Sequence, residues 1–245
     1  MEKKINKLLI VSLILAAVFG GAAFLFKDFP HESGAEEKLS FPIQEYLSID
    51  VQRLDVSLVP YDETEIRVEY RNDRPLEFEL GDNELIITEN VKFAVSLFAG
   101  DRSEFGVRIY LPKTAYRDIS IYTGTGSVSV GNISCKKLSA VTETGDITVE
   151  SMRYLSSLTT TSGKIIANID RIVQDTGFLN RDGDIELVLP SESSVAVDFK
   201  TTDGECKTDL ISGQISGSYL YAFNGGKRQI DVTAEHGTLI IKERT

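Results

Sequence analysis

The sequence predicts an all-β chain, a β-solenoid or β-roll of stacked strand-turn-strand repeats of about 19 residues, preceded by one N-terminal transmembrane helix. Three observations support this prediction. A short phrase centred on a glycine recurs six times between residues 119 and 241. Apolar and polar residues alternate on both sides of each glycine, which is the period of a β-strand. An uncharged apolar run of 19 residues, from Leu8 to Phe26, lies near the N-terminus.

The six copies align on their glycines. These are Gly126, Gly145, Gly163, Gly183, Gly204 and Gly237, at spacings of 19, 18, 20, 21 and 33 residues. Positions two and four after each glycine, and five before it, are mostly apolar, as with Ile147, Val149 and Ala140. We expect these columns to face one interior. Each glycine is expected to supply a turn with a positive φ, which a side chain would penalise.

One copy has too little core to fold alone, so neighbouring copies are expected to stack and bury one another. A second, mostly polar column lies three residues before the glycines. Its members are Thr123, Thr142, Thr160, Asn180, Thr201 and Ala234. We interpret it as a structural ladder rather than a row of nucleophiles, because stacked hydroxyl residues can pack and hydrogen-bond along a sheet. Six rungs at about 4.8 Å would form a stack of roughly 29 Å.

The residues before the repeats divide into an anchor, a linker and a first set of strands. Lysines precede the apolar run, so residues 1–27 predict a membrane-spanning helix with a cytoplasmic start and an exported remainder. A cleavable signal peptide is the alternative, because Gly20–Ala23 resemble a cleavage site. Residues 28–40 are expected to be a linker and residues 41–118 short strands and hairpins. The glycine-centred repeats occupy residues 119–245.

Two segments break the regular pattern. Residues 90–106 contain Phe93 and Phe98, which could be core residues of a long hairpin or an exposed apolar tip for a partner. Residues 211–229 form an insertion between the fifth and sixth copies, with alternating aromatic residues before an Asn-Gly-Gly turn. The aromatic residues are Tyr219, Tyr221 and Phe223. We expect a hairpin that closes the end of the stack, and a platform for sugar rings is the alternative.

The composition argues against several classes of function. A net charge of −11 argues against a nucleic-acid partner. The only histidines are His31 and His236, too few for a multi-histidine metal site and poorly placed for a Ser-His-acid triad. Cys135 and Cys206 belong to separate parts of the stack and are expected to be free thiols. We therefore predict a protein that is not an enzyme and has no cofactor.

The acidic turns are the strongest candidate for a metal site. Asp182 and Asp184 flank Gly183, while Asp203 and Glu205 flank Gly204 in the next copy along the chain. Adjacent rungs would bring the four carboxylates together, where Ca²⁺ could bridge them. Repulsion of about 1 kcal/mol per near pair is tolerable in water, however, so we expect no metal. Paired carboxylates also raise a second alternative, a polysaccharide-active β-helix enzyme.

The strand Ile109–Pro112, followed by copies of the form x-T-x-[ST]-G-x-[IV]-x-[IV], resembles the bacterial putative-adhesin domain family. The resemblance covers roughly residues 47–242. It implies an exported β-solenoid-like fold associated with the cell envelope, and it supplies no catalytic residue. The expected function is a non-enzymatic interaction, structural or stress-sensing module, single-pass in the bacterial cell membrane. Its expected partners are envelope proteins or glycans, and exposed strand edges also allow self-association. A glycan-binding adhesin-like module is the first alternative.

Overall fold

The computed structural model describes residues 35–71, 76–90, 106–209 and 214–244, with only the backbone described for residues 214–216. The regular structure in these ranges consists of β-strands in two sheets, which confirms the all-β prediction. The described ranges contain no helix long and apolar enough to cross a membrane. The predicted membrane helix, Phe93 and Phe98 lie outside the described residues.

The strands are numbered in chain order. They are β1 (Glu36–Pro42), β2 (Tyr46–Val51), β3 (Val56–Tyr61), β4 (Glu65–Arg71), β5 (Leu76–Leu80), β6 (Glu84–Glu89), β7 (Val107–Pro112), β8 (Asp118–Thr123), β9 (Val128–Val130), β10 (Leu138–Thr144), β11 (Ile147–Met152), β12 (Leu155–Ser162), β13 (Ile165–Ile169), β14 (Thr176–Asp182), β15 (Ile185–Pro190), β16 (Val195–Lys200), β17 (Glu205–Thr208), β18 (Gln214–Ser216), β19 (Tyr219–Phe223), β20 (Arg228–Ala234) and β21 (Thr238–Arg244).

The two sheets enclose one core. Sheet A has eleven strands in the order β1-β4-β7-β3-β9-β11-β13-β15-β21-β17-β18. Sheet B has ten strands in the order β19-β16-β20-β14-β12-β10-β8-β2-β6-β5. The interior strands pair in parallel, as β10 does with β12 and β11 with β13. Each rung of the solenoid is therefore one strand of sheet B followed by one strand of sheet A.

The rungs do not follow the order of the chain. The rung β2-β3 lies between β6-β7 and β8-β9, and the rung β20-β21 lies between β14-β15 and β16-β17. The expectation that the fourth and fifth copies are adjacent rungs is therefore wrong, because the sixth copy separates them. The physical reason is the connection at residues 191–194, which steps over one rung and leaves a gap. The last copy fills this gap by pairing with strands on both sides.

The inward columns are buried as predicted. Residues two and four positions after the repeat glycines, and five before them, are at most 2% exposed, apart from the half-buried Thr208. Ile147, Val149 and Ala140 of the second copy illustrate the three columns. Burying a large apolar side chain contributes roughly 1.5–3 kcal/mol, so this column pattern supplies most of the drive for folding.

The repeat glycines stack directly on one another at the turn from sheet B to sheet A, which we name the glycine corner. A Cβ atom on Gly145 would lie 2.2 Å from the carbonyl oxygen of Gly126, and one on Gly183 would lie 2.0 Å from that of Gly163. Among the six repeat glycines, only Gly163 has a positive φ, of 150°. The expectation of positive φ is therefore wrong for the other five. These positions exclude a side chain because the turns approach too closely.

The column three residues before the glycines forms the ladder that the sequence predicts. The Thr142 hydroxyl donates to the carbonyl oxygen of Gly126 at 2.8 Å, and the Thr160 hydroxyl donates to that of Gly145 at 3.1 Å. Asn180 donates from its side-chain amide to the carbonyl oxygen of Gly163 at 2.8 Å. Each of these hydrogen bonds satisfies a turn carbonyl that lacks a partner in the sheet. A typical hydrogen bond contributes about 1 kcal/mol to the free energy of unfolding. The column is structural.

The opposite turn, from sheet A to sheet B, is irregular, and we name it the loop corner. Its connections at residues 131–137, 153–154, 170–175 and 191–194 have seven, two, six and four residues. The lengths of these connections and of the flanking strands both vary, which makes the spacing of the repeat glycines uneven. Insertions are expected to be tolerated on this side because these connections lie outside the glycine stack.

Antiparallel strands close both ends of the stack. At one end β1 pairs with β4 and β5 pairs with β6. Strand β1 starts at Glu36, inside the segment predicted as a linker (residues 28–40), because it completes the edge of sheet A. At the other end β18 pairs with β17, and β19 pairs with β16. The insertion thus closes the stack as predicted, but its two strands join different sheets instead of forming one hairpin.

Candidate functional site

The acidic residues of the glycine corner act as hydrogen-bond acceptors between rungs. The Asp146 carboxylate accepts from the backbone N–H of Lys164 at 2.7 Å. The Asp184 carboxylate accepts from the backbone N–H of Thr238 at 2.9 Å. Because these carboxylates already satisfy backbone donors of the next rung, they belong to the same ladder as the threonines.

The four carboxylates considered for calcium do not converge. Asp182 and Asp184 lie on the Gly183 rung, Asp203 and Glu205 lie on the Gly204 rung, and the Gly237 rung separates the two pairs. The premise of the calcium hypothesis, that these turns are adjacent, is therefore wrong. Within the described ranges there is no group of three or more His, Cys, Asp and Glu side chains arranged to hold a metal ion.

His236 occupies the intervening rung at the glycine corner. Its Nδ1 atom lies 2.9 Å from a carboxylate oxygen of Asp203. This hydrogen bond, together with the charges of Asp203, Asp182 and Glu235, raises the pKa of His236 above its ordinary value. When protonated, this imidazole lowers the repulsion between the two acidic turns, beside the ion pair of Arg181 with Glu235.

The two cysteines are free thiols, as the sequence predicts. Cys135 follows β9 and Cys206 lies in β17, five strand positions farther along sheet A, or about 24 Å. Burial raises the pKa of the Cys135 thiol to about 12, and burial also raises the pKa of the Cys206 thiol. Thiols buried in apolar surroundings are poor nucleophiles. Both residues therefore belong to the core.

The aromatic residues of the insertion plug the end of the core. Tyr219 packs against Phe199 with ring centroids 5.7 Å apart, and its hydroxyl lies 2.9 Å from the Cys206 sulfur. Phe223 is buried. Tyr221 is 38% exposed and contacts the Phe223 ring at 4.6 Å. The three rings therefore do not form one open platform, and Tyr221 is the member that presents its ring to solvent.

A rigid turn connects β19 to β20 at this end. Asn224, Gly225 and Gly226 have φ values of 46°, 87° and 56°. The Asn224 side-chain amide donates to the carbonyl oxygens of Ser191 and Ser193, both at 3.0 Å. These bonds tie the turn to the connection at residues 191–194. The predicted Asn-Gly-Gly turn is confirmed, and its glycines are required for their left-handed backbone.

A cleft of about 330 Å³ opens beside this turn, and we name it the cap cleft. One wall carries Tyr221, Asn224 and Ser193. The other wall carries Asp209, which follows β17, and Glu243 of β21. The second wall could not be predicted from the sequence, because β17 and β21 are neighbours only through the altered rung order. We define the C-terminal cap as β18, β19, the Asn224 turn and the cap cleft.

A second cleft, of about 380 Å³, lies at the loop corner toward the other end of the stack. Its lining includes Leu111, Pro112 and Ile133, with Lys113 as its charged residue. Lys113 forms an ion pair with Asp62 at 2.8 Å. This cleft has no carboxylate and no aromatic ring among its lining residues, so it offers little for specific recognition.

A cluster on the outer face of sheet A holds the N-terminal end together. The Arg67 guanidinium lies over the rings of Tyr61 and Tyr110, at 4.7 and 4.2 Å from their centroids. Burial opposes ionisation of Glu69, but hydrogen bonds from Lys38 and Tyr110 outweigh it and lower the pKa of that carboxyl. The cluster joins β1, β4, β7 and β3. It is a clamp between strands rather than an open site.

Comparison with known families identifies the chain. The model of the family described as Toastrack DUF4097 matches residues 44–156 and 124–242. The chain belongs to the Toastrack DUF4097 family. The two matches overlap and together cover most of the sequence, as expected of a repeated fold that fits one pattern in two registers. The resemblance to an adhesin-like β-repeat family is thereby confirmed.

Several solved structures are similar to this Toastrack chain. A putative cell adhesion protein from Clostridium sporogenes is 17% identical, with a TM-score of 0.46, and the match covers 86% of this chain and 100% of that one. A putative adhesin from Bacteroides fragilis is 11% identical, with a TM-score of 0.35 and coverages of 88% and 99%. A putative lipid binding protein from Parabacteroides distasonis is 10% identical, with a TM-score of 0.36 and coverages of 88% and 98%. No curated protein matches the chain.

The groups with the strongest pKa shifts among the described Toastrack residues do not line the cap cleft. His236, the histidine within the described ranges, pairs with Asp203, and no described serine or cysteine hydrogen-bonds to it. Tyr116, Cys135 and Tyr219 have raised pKa values, and burial is the largest cause for each. Catalytic acids and bases instead need a perturbed pKa in a cleft that substrate can enter. The cap cleft offers recognition groups without such a pair.

Proposed function

We propose that this Toastrack protein is a non-enzymatic interaction module of the bacterial cell envelope, anchored by its N-terminal helix, which contacts its partner through the C-terminal cap. The observation that carries the proposal is the contrast between the cap and the repeats. The Thr142, Thr160 and Asp184 side chains are engaged in bonds between rungs. The cap combines an exposed edge strand with an open cleft, and such features serve interactions.

The position of the cap supports this role. Strand β1 is the first described strand of the chain and forms one edge of sheet A, whereas β18 forms the other edge. Eleven strands at about 4.8 Å separate these edges by about 48 Å. The cap therefore lies at the opposite end of sheet A from β1.

The enzyme alternative has less support. Asp184, the residue that the sequence offers for turnover of a polymer, accepts a backbone hydrogen bond from the next rung. Asp184→Asn is expected to lower the stability of the stack. We expect no polysaccharide turnover by the wild-type protein, and therefore no loss of turnover in this variant. Release of reducing ends by the wild-type protein, abolished in this variant, would show that the module is an enzyme.

Site-specific photo-crosslinking in living cells tests the interaction role. A photoreactive residue at Leu220, which is 71% exposed on β19, is expected to give adducts with envelope components. The matched control is the same residue at Leu179, which is 44% exposed on the outer face of sheet B in mid-stack. We expect few adducts there. Equal yields at both positions, or none at either, would contradict a role for the cap.

Labelling of intact cells tests the location. Leu220→Cys introduces an exposed thiol, whereas the native thiols of Cys135 and Cys206 are buried and do not compete. We expect a membrane-impermeant maleimide to label this variant on intact cells or spheroplasts. Labelling only after the inner membrane is permeabilised would place the repeats in the cytoplasm and exclude the proposal.

A further inference from the structure

The cap cleft contains two carboxylates without a described partner. Within the described ranges, neither Asp209 nor Glu243 has a hydrogen bond or an ion pair from its side chain. A carboxylate on the outer face of sheet A is paired, in contrast. Glu186 contacts Lys164 and Lys242, at 2.9 and 2.6 Å. The acids of the cleft are therefore free to bind a ligand that brings its own positive charge or hydrogen-bond donors.

An aromatic ring completes the recognition surface. Tyr221 borders the cleft and is held from behind by Phe223. The Asn224 side chain fixes the neighbouring backbone by its bonds to Ser191 and Ser193. A ring and a backbone that are already ordered bind a ligand at a lower entropic cost than mobile loops do.

Size and charge narrow the class of ligand. The cleft, at about 330 Å³, lies at the lower end of the range of about 300–1,000 Å³ that small-ligand sites occupy. Its two carboxylates, and a chain of net charge −11, disfavour phosphate groups and acidic sugars. An aromatic face beside carboxylates suits a ligand with both an apolar ring face and an ammonium group. A hexosamine with an unacetylated amine has this combination.

We propose that the cap cleft binds a hexosamine unit with a free ammonium group, in a partly deacetylated envelope glycan. This proposal rests on the interaction function proposed above and names its ligand class. The pyranose ring packs on Tyr221, and the ammonium group lies between Asp209 and Glu243. Asn224 and the connection at residues 191–194 hold the wall that faces these carboxylates.

Calorimetry with the full-length protein in detergent micelles tests the proposal. The probe is a glucosamine oligosaccharide, and its fully N-acetylated counterpart is the matched control because acetylation converts each ammonium group to a neutral amide on the same sugar ring. We expect binding of the amine form and affinity about tenfold or more weaker for the acetylated form. Asp209→Asn and Tyr221→Leu are each expected to weaken binding of the amine form about tenfold. Tyr221→Phe retains the ring and is expected to bind normally.

A charge-removing substitution at the glycine corner distinguishes a specific site in the cap cleft from non-specific electrostatic attraction to the acidic protein. Asp203→Asn removes the same charge from an exposed turn of the glycine corner and is expected to leave the affinity unchanged. Equal weakening by Asp203→Asn and Asp209→Asn, equal binding of the acetylated oligosaccharide, or equal binding of spermidine would each overturn the proposal. If the wild-type protein does not bind the oligosaccharide but still crosslinks from position 220, the glycan inference is overturned and the interaction function stands. Loss of the crosslinks would remove the proposed function as well.

Discussion

The two corners of the solenoid follow opposite rules. At the glycine corner the repeat glycines stack with the same close approach, and a Cβ on Gly237 would lie 2.1 Å from the carbonyl oxygen of Gly183. At the loop corner the connections vary from two to seven residues, and both clefts open there. The glycine corner holds neighbouring rungs in register through shared hydrogen bonds. The loop corner also has hydrogen bonds between rungs, such as the one from the Thr176 hydroxyl to the Leu155 carbonyl oxygen at 2.8 Å, but these bonds do not repeat in every copy. Its residues are therefore freer to differ from rung to rung.

This difference explains why the conspicuous motif is not the candidate site. The repeated glycines, threonines and aspartates recur because each rung needs the same contacts with the next. Asp209, Tyr221 and Glu243 follow no repeat and meet only at the cap. In a repeat protein, a residue that recurs in every copy is more readily explained by stacking than by binding one ligand.

The largest expected effect is at the stacked glycines. Gly183→Ala would place a Cβ atom 2.0 Å from the carbonyl oxygen of Gly163, so the backbone of two rungs must separate. We expect a loss of about 3 kcal/mol or more in the free energy of unfolding, measured by chemical denaturation. Gly177→Ala in β14 is the control, because its Cβ would meet only the Ser156 carbonyl oxygen at 4.0 Å. Similar losses in both variants would show that close stacking is not the constraint.

Insertions distinguish the corners directly. A Gly-Ser pair inserted after Gly145 breaks the alignment of turns, and we expect a loss of about 2 kcal/mol or more. The same pair inserted after Arg171, in the connection at residues 170–175, is expected to cost about 0.5 kcal/mol, because lengthening a loop costs little entropy. Melting temperatures of the two variants measure the difference. If the Arg171 insertion were the more harmful, the roles assigned to the corners would be reversed.

The hydroxyl ladder is expected to have a smaller effect. Thr142→Val preserves the shape of the side chain but leaves the Gly126 carbonyl without its donor at 2.8 Å. The expected loss is about 1–2 kcal/mol in the free energy of unfolding. Thr159→Val, on the outer face of β12, is the control and is expected to change stability by less than about 0.5 kcal/mol. Equal stability of Thr142→Val and wild type would show that the hydroxyl ladder does not stabilise the fold.

The smallest expected effect is the pH dependence at His236. Its pKa in the folded state is raised above the ordinary value of 6.5 by the hydrogen bond with Asp203. The pair therefore stabilises the fold fully below about pH 6.5, and this contribution is lost as the pH rises through the raised folded pKa. We expect wild type to melt above His236→Gln at about pH 5.5, with the gap closing at about pH 9 and in about 1 M salt. A gap that widens with pH would refute this sign.

The sequence predicts the local features of the fold well. Alternation around each glycine places Ile147, Val149 and Ala140 in the core, because strand period is a local property. The threonine column is predicted for the same reason. The reason for the glycines differs from the one predicted, because the distance between stacked turns is not visible in a single copy.

The order of the rungs could not be predicted in this way. The copies around Gly183, Gly204 and Gly237 are alike locally, so the sequence does not show which pair becomes adjacent. The choice depends on the connection at residues 191–194 and on the strands of the insertion that cap β16 and β17. The cap cleft depends on this choice. Asp209 and Glu243 therefore had no signal in the sequence, whereas Tyr221 did.

Amide chemical-shift mapping tests most directly whether binding belongs to the loop corner and stability to the glycine corner. The full-length protein in detergent micelles is titrated with the glucosamine oligosaccharide. We expect shifts at residues 191–195, 209, 221–224 and 243, around the cap cleft, and none at the turns of Gly183, Gly204 and Gly237. Shifts concentrated at those glycine turns, or no shifts at either corner, would contradict the account.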